Sequence, residues 1–206
     1  RIVEEELRET GVYNTILASI ASGNHKLNDL YLHTDFSRAK ISVYLKNLME
    51  LELVEKVFSY DTEGKANTQK GIYRISNHFV HFYFTYLYPN LSSLEGMTSG
   101  EFYNQYIAPT FKSYVAEYFK TVCKQQIEKW NKWGRLPFEV DRIGEWVGKL
   151  GTIDVIAQNE NGETIVGICN WDKPMMRYDD YEWLLFCAEK AKLRTDYIYL
   201  FSVRRF

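Results

Sequence analysis

Asp154 is the first residue whose type and setting could do chemistry. It lies in the first arm of TIDVIAQNENGETIVGICNW, Thr152 to Trp171. There Ile153, Val155 and Ala157 alternate with Asp154 and Ile156, the chain turns through Asn159 to Gly162, and Thr164 to Trp171 resumes, which predicts a β-hairpin. A carboxylate on such a strand can help hold Mg²⁺, and a held metal polarises phosphate and lowers the pKa of water in phosphodiester hydrolysis. Other reactive groups are scattered. Cys123, Cys169 and Cys187 are widely spaced in apolar settings without a Cys-x-x-Cys, so they form no zinc site. His78 and His81 are three apart but lack a third ligand, and read as packing residues. No Ser-His-Asp set, Gly-rich loop or paired carboxylates argue for another enzyme, and no Gly-x-x-x-x-Gly-Lys-Ser/Thr is present to cradle a nucleotide phosphate. The sequence therefore assigns no metal and no cofactor to this chain.

A second candidate surface is polar and helical. Ile41, Leu45 and Leu48 recur at helical spacing behind the capping Ser37, which leaves Lys40, Val43, Lys46 and Asn47 on the opposite face. Those side chains suit a major groove: Lys for phosphate or guanine, Asn for adenine, Val43 for a thymine methyl. Lys65 and Lys70 flank the loop that follows and would add phosphate contacts. Glu50, Glu52 and Glu55 sit close behind and oppose such binding. A helix must show polar residues to water somewhere, so protein docking stands as the alternative use of this face.

The elements that must carry these residues follow in order. Val12, Ile16, Leu17 and Ile20 predict a first helix ended by Gly23, a short helix follows around Lys26 to Leu32, and the Ser37 helix is the third. Leu53 to Tyr60 and Gly71 to Ile75 are strand-like around a polar loop. Three helices and a two-stranded wing predict a winged helix-turn-helix over residues 1–76. Residues 77–105 form an aromatic helical connector, in which Pro89 ends the aromatic helix. Residues 106–206 form an α/β domain: a helix within Ser99 to Trp133, a strand over Phe138 to Ile143, a loop through Gly144, Trp146 and Gly148, the hairpin, a helix from Tyr181 to Lys192, and a strand over Tyr197 to Val203. The predicted class is α+β, with a mixed sheet in the second domain.

Composition sets the bounds. The 206 residues suffice for two domains, and a formal net charge of −2 means that any nucleic-acid contact must come from a local patch. The most apolar run, Phe79 to Leu87, is shorter than the ~20 residues a membrane helix needs. Together with the unpaired cysteines, this predicts a cytoplasmic protein without membrane contact. The chain starts at Arg1, in a charged helical stretch, and reads as part of a longer polypeptide.

The order of a winged helix, Tyr73-Arg74-Ile75, an aromatic helix through Tyr88-Pro89-Asn90, a Phe-rich helix and the hairpin resembles the C-terminal region of archaeal-type P-loop ATPases, also found in bacteria. The resemblance covers nearly the whole chain. It implies an ATPase module upstream and a last domain with a restriction-endonuclease-like fold of PD-(D/E)xK type. In that fold an Asp on one strand and a Glu-x-Lys on the next hold Mg²⁺ and aid the attacking water. Gly167-Ile168-Cys169-Asn170-Trp171 stands where relatives tend to read Gly-Glu-Cys-Lys-Trp, so Ile168 replaces a ligand and Asn170 replaces the Lys. Lys120 stands where relatives favour a Glu, although Glu117 is one turn earlier. Asp172 shares the parity of Ile168, but about 13 Å along the strand at roughly 3.3 Å per residue is too far to share an ion with Asp154. Asp154 and Ile168 are expected on neighbouring antiparallel strands, with Ile168 and Asn170 facing the same side as Asp154. The reading is a non-catalytic region that binds double-stranded DNA or a protein partner. A protein-interaction module without DNA binding and a metal-dependent nuclease with displaced ligands are the alternatives.

Overall fold

The structure is a computed structural model that describes residues 9–62, 71–148, 150–171 and 176–203. It is a mixed α+β protein that divides into two units. One holds the described residues up to Phe58 and from 71 to Pro109, and the other holds Ser59 to Thr62 and the described residues from Thr110 onward.

The first unit begins with α1 (Thr10–Ala21), α2 (Leu27–Thr34) and α3 (Arg38–Glu50). α1 and α3 bury the stripes their sequence periods foretell. Ile16, Leu17 and Ile20 of α1, Leu30 of α2, and Ile41, Leu45 and Leu48 of α3 meet in one core. Gly23 (φ 98°) ends α1, in a conformation that costs glycine little. Ser37 starts α3 by accepting from the Lys40 N–H at 3.2 Å. Strands β1 (Val54–Val57) and β2 (Ile72–Ile75) pair antiparallel, from Val54 opposite Ile75 to Val57 opposite Ile72. The backbone of Tyr73 ties β2 to the α1–α2 loop: its N–H donates to the His25 carbonyl at 2.7 Å.

The aromatic stretch is not one α-helix. α4 (His78–Phe82) widens into a π-helical turn over Tyr83–Leu87 and tightens to a 3₁₀ turn at Tyr88–Asn90. Phe84 and Tyr86 are both buried within the π turn, and Phe84 joins the core of the first unit. α5 (Leu91–Leu94) and α6 (Ser99–Phe102) follow, and a second π turn at Tyr103–Ile107 leads into α7 (Ala108–Lys132).

In the second unit β3 (Arg142–Val147), β4 (Thr152–Gln158) and β5 (Thr164–Asn170) form an antiparallel meander. α8 (Tyr178–Ala191) then leads to β6 (Tyr197–Ser202), which lies parallel to β5, so the mixed sheet has the order β3-β4-β5-β6. Cys123 and Ile127 of α7 pack on Val155, Ala157 and Ile165. Leu184, Cys187 and Ala188 of α8 pack with Ile153, Ile156 and Val166. The middles of β4 and β5 are thus mostly apolar apart from Asp154, as suits strands covered on both faces.

The first strand of this sheet differs from the sequence expectation. It occupies 142–147, not 138–143, and the expected loop residues Gly144 and Trp146 lie within it. Tyr60 explains Gly144: its ring carbon Cδ2 lies 2.8 Å from where a Cβ on Gly144 would stand. The Tyr60 N–H also donates to the Glu145 carbonyl at 2.7 Å, and the Arg142 guanidinium donates to the Tyr60 carbonyl at 2.6 Å and lies over its ring. Among the described residues, no helix is long and apolar enough to cross a membrane.

Candidate functional site

The chemistry of the second unit gathers where β3 meets β4. Gly144 lies opposite Ile156 and Trp146 opposite Ile153, so Glu145 alone faces both Asp154 and Val155. This is a β-bulge, which adds a residue to one strand and re-aims its side chains. Its effect appears in the packing. Ile153 and Ile156, three apart, both join the α8 layer, while Val155 joins the α7 layer and the Asp154 carboxylate meets α7.

Asp154 and Glu145 are nearly buried, at 6% and 5% exposed. Each meets a lysine from α7, and the two lysines are one helical turn apart. Lys120 Nζ lies 3.0 Å from Asp154 Oδ1, and Lys124 Nζ donates to Glu145 Oε2 at 2.8 Å. The second oxygen of Asp154 accepts the Cys169 N–H at 2.9 Å. Burial alone would pull the Lys120 ammonium down, but the charge and hydrogen bond of Asp154, with Glu117 and Glu145 nearby, outweigh it and raise its pKa. The Cys169 thiol is pushed well up, first by its hydrogen bond with Cys123 and then by burial; burial likewise raises Cys187. Neither is an activated nucleophile.

Asp154 and Ile168 lie on neighbouring antiparallel strands, as expected. Ile168 packs with Val166 in the α8 layer and Cys169 in the α7 layer, while the Asp154 carboxylate sits over the Cys169 N–H and reaches α7 through Lys120. Asn170 lies at the end of β5 opposite Ser202 of β6. Glu117 is exposed, and Asp172 falls outside the described residues. Among the described residues, no group of three or more His, Cys, Asp and Glu could hold a metal ion. Sequence reasoning missed Glu145 and Lys124. Their signal was faint: a Lys four residues after Lys120 beside the inward-facing Cys123 and Ile127, and an acid between Gly144 and Trp146.

In the first unit, α3 exposes Ala39, Ser42, Val43 and Lys46. Two residues expected on that face are engaged elsewhere. The Asn47 amide donates to the Tyr13 hydroxyl at 2.7 Å and is half-buried. Lys40 lies 3.8 Å from Glu9 and over the rings of Phe36 and Tyr44. Tyr44 donates to the same Glu9, and this bond pushes its hydroxyl pKa up to about 12. Lys46 does face solvent, paired only loosely with Glu50 at 3.7 Å. Lys65 and Lys70 lie outside the described residues. Arg38, which the sequence did not single out, donates to Asn28 Oδ1 at 2.7 Å and lies 3.9 Å over the Tyr31 ring.

Residues 83–182 match DUF234, a family described as archaeal and bacterial proteins of unknown function. The match takes in Lys120, Lys124, Glu145 and Asp154, and leaves out α1 to β2. An uncharacterized protein of Methanocaldococcus jannaschii is 35% identical over 160 residues, which cover 78% of this chain and 35% of that protein. The chain thus spans about a third of the length of the curated relative it matches. No solved structure matches the chain.

Proposed function

We propose that this chain is the non-catalytic, DNA-recognising region of a P-loop ATPase, a winged-helix unit followed by a PD-(D/E)xK nuclease-like unit that no longer turns over. Three helices followed by a two-stranded β-ribbon support the first name. The order α7, β3-β4-β5, α8, β6, with β6 parallel to β5, supports the second. The length of the Methanocaldococcus relative beyond the aligned part has room for an ATPase module.

One observation carries the loss of turnover. Both oxygens of Asp154 are engaged, one by the Lys120 ammonium and one by the Cys169 N–H. The ammonium supplies the positive charge that a divalent ion would otherwise bring, and Ile168 adds no carboxylate. Each missing acid-base or charge-stabilising group costs a nuclease about a hundredfold or more. DNA recognition falls to α3, whose exposed stripe of Ala39, Ser42, Val43 and Lys46 lies opposite a fully buried one.

The test has two arms. With Mg²⁺ or Mn²⁺ the purified chain should leave single- and double-stranded DNA and RNA intact; cleavage that Asp154→Ala abolishes would overturn the non-catalytic reading. Duplex DNA should bind with log K falling against log salt at a slope of about −2 to −4, at ~0.9 per phosphate neutralised. A chain showing no salt-sensitive association at low ionic strength would favour protein docking. That second reading has its own support in the apolar exposure of Leu32 (63%) and Val43 (58%).

A further inference from the structure

On the reading that α3 meets a DNA duplex, we infer that Arg38, held by Asn28 and Tyr31, is a preformed phosphate clamp of that interface. The inference rests on how the cations of the first unit are held. Lys40 is drawn toward Glu9 and the Phe36 and Tyr44 rings, and Lys46 shares its charge with Glu50. Arg38 has a different setting. It is exposed, it is the first residue of α3, and its partners are a neutral amide and an aromatic face.

That setting keeps its charge available. Asn28 takes one Nη2 donor at 2.7 Å, and Tyr31 supports the guanidinium plane from 3.9 Å. A guanidinium has five N–H donors, so enough remain for a two-pronged grip on phosphate oxygens. Stacking on Tyr31 restricts the plane before any ligand arrives, which lowers the ordering cost of binding. The partners come from α2 and the charge from α3. A phosphate gripped there would fix how α3 lies on the duplex without reading a base, the positioning role that most phosphate contacts play.

The experiment compares the full chain with Arg38→Ala, Arg38→Lys, Lys46→Ala and, in the second unit, Lys129→Ala. Each is titrated by fluorescence anisotropy against three duplexes of unrelated sequence between 50 and 200 mM salt. Arg38→Ala should flatten the slope by about 0.9 on every duplex, so that the loss of affinity over this salt range becomes roughly 3.5-fold smaller. Arg38→Lys should keep the slope and bind less tightly, since an ammonium keeps the charge but not the planar fork. Lys129→Ala should match the parent chain. If Lys46→Ala flattens the slope and Arg38→Ala does not, the clamp is wrong and DNA binding stands. If the Arg38→Ala loss is confined to one duplex, Arg38 reads a base and the clamp is again wrong. If the parent chain binds no duplex in a salt-dependent way, DNA binding fails and the clamp with it.

Discussion

Lys120 and Asp154 form an ion pair in which removing one partner costs more than removing both. Asp154→Asn keeps the shape and can still accept from the Cys169 N–H, but it removes the charge facing the Lys120 ammonium at 3.0 Å and leaves only the weaker influence of Glu117 and Glu145. Breaking a fully buried pair costs roughly 3–5 kcal/mol. The Lys120 side chain is 31% exposed, so water screens part of that cost, and a loss of about 2 kcal/mol is expected by urea denaturation. Asp154→Leu with Lys120→Met should come within about 1 kcal/mol of the parent chain. The sign with pH follows from the raised Lys120 pKa: the pair's stabilisation is complete below the unfolded lysine value of about 10.4 and is lost as pH rises through the higher folded one. Lys120→Met should therefore remove part of the alkaline loss of stability. An alkaline profile identical in both chains would count against the pair. At this scale the sequence was half legible. Asp154 stood out as a carboxylate in an apolar strand and Lys120 by resemblance. Glu145 was hidden in a stretch that reads as loop, and Asn47 could not show its bond to Tyr13, a partner in another helix.

Among the elements, helices were read more surely than strands. Ile41, Leu45 and Leu48 are all fully buried, as their spacing requires. The strand β3 was misplaced because Phe138 and Val140 alternate with polar neighbours, while Gly144 and Gly148 imitate a loop. The Asn131 side chain explains why Val140 is outside the strand: it bonds both the N–H and the carbonyl of Val140, at 2.8 Å each, in place of a sheet neighbour. The bulge was illegible for a different reason. Its apolar residues Ile153, Val155 and Ala157 fit a regular strand, and only the pairing with β3 reveals the extra residue. Two glycines of similar appearance in the sequence should then behave in opposite ways. Gly144→Ala meets the Tyr60 ring at 2.8 Å and should cost about 1–2 kcal/mol. Gly11→Ala has no atom within 4 Å, sits early in α1, and should stabilise by up to about 1 kcal/mol. Thermal unfolding of the two variants checks both signs, and a stabilising Gly144→Ala would refute the account given for β3.

For the whole molecule, the cores are built from separate residue sets: α1 to α4 with β1 and β2 in one, and α7, α8 and the four-stranded sheet in the others. The sequence reading set an aromatic connector over 77–105 between a region over 1–76 and one over 106–206, whereas Val80 and Phe84 of that stretch pack into the first core. The tryptophans offer a probe of this division. Trp130, Trp133, Trp146, Trp171 and Trp183 all belong to the second unit, so their fluorescence follows that unit, whereas far-UV circular dichroism follows the helices of both. Leu45→Ala empties a fully buried site in the first unit and should cost about 2–4 kcal/mol there. In urea it should lower the midpoint of part of the dichroism change and leave the tryptophan midpoint in place. Asp154→Asn should do the reverse, lowering the tryptophan midpoint with part of the dichroism. If either substitution moves both probes by equal amounts, the two units unfold as one, and any ligand that binds the folded first unit alone would stabilise the second through the shared transition.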